Sequence, residues 1–163
     1  MLKKDKKESN FEALNYAVNT LKLVANMVNS EDKMPKRAKL VVGKPIMDRA
    51  LEIVEDLREA NSIFGDNKNE ITYRIKLGEK AASGANRLHT DITYLPYMVS
   101  SIKEDAPWYK ELDESSYNLQ RLVHNWQKSD FRAQTAKKEA MAEATKTKKT
   151  QKSDEKVNKE NKK

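Results

Sequence analysis

Through residues 11–132, apolar residues recur every three or four positions, the period of helices that each bury one face. Phe11, Leu14, Ala17, Val18, Leu21, Val24, Ala25 and Val28 predict a first helix over about Asn10–Asn29. Tyr16, Leu23 and Met27 form a second stripe on it, spaced seven and four, which is either a partner contact or the edge of a broad core face. A second helix over about Pro45–Phe64 presents Ile46, Ala50, Leu51, Ile53, Val54, Leu57, Ala60 and Phe64 on one side. Asp48, Glu52, Glu55, Asp56 and Glu59 occupy the other side and are expected in solvent. Proline at a first helical turn loses nothing by lacking an N–H, so Pro45 suits that start. Gly65-Asp66-Asn67 should end the helix.

A third helix over about Asn67–Leu95, or to Ile102 with a kink, carries Ile71, Ile75, Ala82, Ala85, Leu88 and Ile92. Its small-residue stretch, Gly78 to Ala85, either admits a close neighbour or weakens the helix. Pro96 should bend or break the helix just before itself. A fourth helix over about Pro107–Phe131 gathers Trp108, Leu112, Leu119, Leu122, Val123 and Trp126 in one arc. Four such faces can close on one core. The expected fold is therefore all-α, a four-helix bundle over residues 11–132.

Charge changes the picture at the ends. The chain has 163 residues and a formal charge of +7, yet residues 11–132 balance to zero. Residues 1–10 carry +2 and residues 133–163 carry +5. The first stretch reads as a basic N-terminal arm. In the last, Met141 and Val157 are the only large apolar residues, so a disordered or transiently helical Lys-rich tail is expected. Such a tail attracts polyanions, nucleic acid above all, or merely solubilises the chain.

Two further basic groups lie inside the bundle. Lys33, Lys36, Arg37, Lys39 and Lys44 fall in a connection where Pro35 ends a helical reading. Arg121, His124, Lys128 and Arg132 form one edge of the fourth helix, suited to phosphate or an acidic protein, or simply solvated. Catalytic chemistry is hard to assemble from the rest. There is no Cys, no HExxH and no GxSxG, and Gly43-Lys44-Pro45 lacks the upstream glycine of a phosphate loop. Neither His89 nor His124 has a second His at metal-ligand spacing. No enzyme, metal or cofactor is expected. No run approaches the roughly 18 apolar residues of a spanning helix, and no apolar segment follows the basic Met1–Lys7 stretch as in a secretory signal. A cytoplasmic location is the expectation, with no membrane partner.

The segment Met34-Pro35-Lys36 through Gly43, the Ile/Leu-rich helix ending Glu59-Ala60-Asn61, and Leu119-Gln120-Arg121-Leu122-Val123-His124-Asn125-Trp126 with Lys128-Ser129 beyond resemble one bacterial family. It is the Avd-like group, the accessory variability determinants of diversity-generating retroelements. The intervening-sequence proteins of large-subunit ribosomal RNA genes are its close relatives. The resemblance implies an up-down four-helix bundle that assembles as a pentameric homo-oligomer. It also implies a non-catalytic partner of a reverse transcriptase and of its template RNA and cDNA. By position, it assigns Lys36, Arg37 and Lys39 to the family's basic loop, and Arg121 and Lys128 to polar positions of its last helix. The alternative is a helical protein-binding module of the intervening-sequence type with no nucleic-acid role.

Overall fold

The computed structural model describes the backbone of residues 2–160 and the side chains of residues 12–145. Among the described residues the chain is helical, with no strand. Helix α1 spans Leu2–Asn29. Helix α2, Lys36–Ala38, runs through a π-helical turn, Lys39–Gly43, into α3, Lys44–Ser62. Helix α4 spans Lys68–Thr93, the short α5 spans Leu95–Met98, and α6 spans Pro107–Glu160. The four long helices share one core: α1 packs on α3 and α6, and α4 also packs on α3 and α6. The pairings Glu59–Tyr73 and Asp56–Lys80 run α3 antiparallel to α4. Tyr109 against Ile92, His89 against Ser116 and Arg74 against Asp130 do the same for α4 and α6.

The apolar pattern explains the core. Ile46, Ala50, Ile53, Val54, Leu57 and Ala60 of α3 are buried, as are Leu112, Leu119, Val123 and Trp126 of α6. Two residues assigned to the α3 face are exposed instead. Phe64 lies beyond the last helical turn, where Ile63 is already extended, and Leu51 sits about 130° round from the centre of the buried face. Asp56 is corrected in the opposite sense. It is buried, and Lys80 of α4 donates to its Oδ1 at 3.0 Å. The small residues of α4 admit close neighbours. A Cβ on Gly84 would stand 3.0 Å from Ile53, and one on Gly78 would rest on Trp126.

The connections follow local chemistry. Gly65 turns the chain at φ 71°, and the Asn67 side chain caps α4 by accepting from the N–H groups of Asn69 and Glu70. Tyr94 interrupts the helix just before Leu95 and Pro96, as the proline predicts.

The basic connection is not a loop. Lys36, Arg37 and Lys39 are helical, because only Gly43 interrupts a run of helix formers between Pro35 and Pro45. Pro45 has no N–H to give, and its ring would crowd the carbonyl four residues back. The wider π turn, closed by the Lys44 N–H on the Lys39 carbonyl, carries the chain past that conflict. It also leaves Leu40 and Val41 on the outside, 74% and 72% exposed.

Helix α6 continues past Phe131, its expected end, to Glu160. No Gly or Pro follows Pro107, and Ala, Lys, Glu and Gln propagate a helix already seeded on a packed body. Residues 133–145, the start of the segment expected as a disordered or transiently helical tail, are thus helix. Gln134 is buried, and Lys137 donates to the Phe64 carbonyl at 2.8 Å. The remaining side chains of the expected tail, and those of the expected N-terminal arm, lie outside the described residues. Among the described residues no helix is long and apolar enough to cross a membrane.

One buried ion pair ties α6 to α4. Arg74 Nε and Nη2 donate to the two carboxylate oxygens of Asp130, each at 2.8 Å, and Nη1 donates to the Ile63 carbonyl at 2.5 Å. Asp130→Ala should lower the unfolding free energy by about 3–5 kcal/mol in urea denaturation, because it strands the Arg74 charge. Gly43→Ala should cost about 1–3 kcal/mol by the same measurement, since its Cβ would meet Met34 Sδ at 2.5 Å.

Candidate nucleic-acid interface

From Ser115 to Lys138, a stretch of about 36 Å along α6, the only acidic residue is Asp130. Asp130 points into the body and is neutralised there by Arg74. The outer face therefore carries positive charge with no acid among it. Arg121, Asn125, Lys128 and Arg132 fall within about 60° of one another round the helix, and all four are exposed. Arg121, Lys128 and Arg132 have no ion-pair partner among the described residues. Beside them a shallow groove of ≈ 560 Å³ is lined by Asn125, Lys128, Ser129, Arg132 and Ala133. His124 is exposed on the other flank of the same cations. The structure thus brings together all four residues expected on this edge, three of them as unpaired cations.

The first basic group is placed differently. Lys33 lies over the Trp108 ring, 5.5 Å from its centre, at the start of α6. That is about 20 Å along the helix from Arg121, so the two groups do not form one patch. Most of its charges are already engaged. Lys36 is 3.7 Å from Glu31, Lys44 is 2.6 Å from Asp48, and Lys39 donates to the Asn29 carbonyl. Arg37 is exposed. These are solvent-screened contacts worth little individually.

The stripe of Tyr16, Leu23 and Met27 does not form a surface. Met27 is 1% exposed in the core and Leu23 packs against it, which leaves Tyr16 at the edge. The α1 face is broad because α3 and α6 both pack on it.

Two features escaped the sequence reading. Between α3 and α4 a polar groove holds Arg49, Lys80 and Arg87 beside Glu52 and Asp56, and a second, bordering Asn86 and Gln120, shares Arg49 and Arg87. Arg49 pairs with Asp91 and Lys80 with Asp56, so most of its charge is compensated in place. The Asp56 hydrogen bond raises the Lys80 pKa, which keeps that amine charged. The other is a polar contact between His89 Nδ1 and Ser116 Oγ at 2.9 Å. Ser116 Oγ also donates to the Asp113 carbonyl at 2.8 Å, which ties the pair to the backbone of its own helix. Long-range pairings of this kind leave no trace in local spacing. Among the described residues no cluster of three or more metal-ligating side chains occurs.

No family model, curated protein or solved structure matches this chain.

The α6 cations are surface groups that the fold does not need. Lys128→Ala and Arg132→Ala should each change the unfolding free energy by no more than about 0.5 kcal/mol. Thermal denaturation of both variants checks this, and a larger loss would mean that the face packs against something.

Proposed function

We propose that this protein is a non-catalytic accessory factor that binds nucleic acid through the outer face of α6. By the resemblance in its sequence, its partners are a reverse transcriptase and that enzyme's template RNA and cDNA, in a diversity-generating retroelement. The observation that carries the binding role is the outer face of α6 between residues 115 and 138, free of acids, with Arg121, Lys128 and Arg132 unpaired among the described residues. Cations without protein partners remain available to replace the counterions of a phosphate backbone. The Avd-like reading also supplies the finer architecture: an up-down four-helix bundle, assembling as a pentamer in the cytoplasm. The antiparallel pairing of α3 with α4 and of α4 with α6 is in keeping with that topology.

One observation favours the alternative, a protein-binding module. Leu40 and Val41 are exposed side by side on the π turn, and aliphatic side chains suit a protein better than a phosphate backbone. The two surfaces are separate, so a polymerase contact at the turn and a nucleic-acid contact on α6 are compatible.

Affinity purification from the native host at about 0.1 M salt, where exposed charges still act, tests the whole reading. A reverse transcriptase and one enriched RNA are expected. Recovery of the protein free of nucleic acid would favour the protein-binding module. In a purified system, RNA affinity should fall linearly with salt on logarithmic axes. Changing Arg121, Lys128 and Arg132 together to Ala should reduce that slope by about two units, at roughly 0.7 per single-strand phosphate contact. An unchanged slope would remove α6 from the interface.

A further inference from the structure

The face of α6 carries rings as well as cations. Tyr117, His124 and Phe131 are spaced seven residues apart. Seven residues return a helix to within about 20° of the same direction, so the three rings form one row about 21 Å long. All three are exposed, Tyr117 at 55% and Phe131 at 44%. Arg121 and Lys128 fall between them, at steps of four and three, and Arg132 follows Phe131. Going along the helix, the row reads ring, cation, ring, cation, ring, cation. The first ring is braced: His89 of α4 meets Tyr117 edge-on, with the ring centres 5.6 Å apart.

We propose that this row is a track for single-stranded nucleic acid. Bases stack on Tyr117, His124 and Phe131, while Arg121, Lys128 and Arg132 meet the phosphates between them. The proposal rests on the nucleic-acid reading above and adds the form of the strand. A duplex shows phosphates but keeps the faces of its bases stacked inside, so it satisfies the cations and leaves the rings unused. A single strand offers both, and every base has a face to stack whatever the sequence. Steps of four and three are also those of a helix-pairing seam. Such a seam wants an aliphatic residue at nearly every position, and here alternate positions are cations. The acid-free stretch around the row complements a polyanion and gives a second helix of mixed charge little to pair with.

The test uses the full-length chain, a fluorescent 20-nucleotide oligouridylate, and an RNA duplex of equal length, titrated at several salt concentrations. Wild type should prefer the single strand. Tyr117→Ala and Phe131→Ala should each weaken single-strand binding about tenfold, leave duplex binding alone and leave the salt slope unchanged. Tyr117→Phe, which keeps a ring, should bind as wild type does. Equal affinity for the two RNAs would overturn the track. So would full single-strand affinity in the ring variants while Lys128→Ala and Arg132→Ala still weaken it. In those two cases the nucleic-acid reading survives. Loss of polymerase binding, with RNA binding intact, in the ring variants would make the row a protein contact and overturn the track. No RNA binding by wild type at low salt would overturn both the track and the reading beneath it.

Discussion

An acid on a helix ordinarily faces solvent, but Asp130 continues the arc of Leu112, Leu119, Val123 and Trp126. Its carboxylate is buried instead, gripped at both oxygens by the Arg74 fork, with the Gln134 amide donating to the same group. Removing both charges from water costs several kcal/mol per ion, and only close geometry offsets it. Here the remaining guanidinium nitrogen is also satisfied, by the carbonyl that follows α3. The pair therefore fastens α6 to α4 and to the α3–α4 turn at once. Two consequences reach the surface. Helix α6 stays on the body as far as Gln134 and Lys137, beyond its last large buried apolar residue, Trp126. And the one acid between Ser115 and Lys138 faces inward, so the charge left outside has a single sign.

What could be read beforehand was whatever depends on local period. The buried side of α3, the break before Pro96 and the close approach at Gly78 and Gly84 all follow from spacing and side-chain size. What could not be read depends on a distant partner. Asp56 looks like a solvent position until Lys80 is placed beside it, and the spacing that puts Asp130 on the buried arc of α6 does not name Arg74 as its partner. Met27 looks like a second stripe until α3 and α6 both close on α1. The length of α6 exceeds the transient helix expected of the tail for another reason. Counting apolar residues decides whether a segment can nucleate a core, but extending an existing helix needs only good helix formers and no breaker. For the candidate site, the four-residue group on α6 was legible as one edge. The ring row has a signal of its own, aromatic residues at 117, 124 and 131, which only a continuous helix aligns.

The π turn shows a backbone constraint choosing a surface. Helix formers on both sides favour continuing through Pro45, and the proline forbids the ordinary hydrogen bond. The extra residue taken up by the wider turn shifts the register, so Val42 and Gly43 face inward and Leu40 and Val41 do not. Gly43 then closes against Val28 and Met34, which leaves no room for a side chain. An apolar pair that a regular helix would have placed differently ends in solvent, flanked by Lys39 and Lys44.

The zero net charge of residues 11–132 conceals a separation of sign. Asp48, Glu52, Glu55 and Glu59 make the outer face of α3 acidic, although Lys44 offsets Asp48 at one end. The outer face of α6 is basic. Helices α3 and α6 each pack on α1 and α4, so they stand at opposite corners of the body. With neighbouring axes about 8–10 Å apart, the two outer faces are separated by roughly 20 Å or more. The Debye length at 0.1 M salt is about 10 Å. A polyanion approaching at that ionic strength feels the face it meets and little of the other. A body without net charge can thus present a polyanion with attraction at α6 and repulsion at the acidic face of α3.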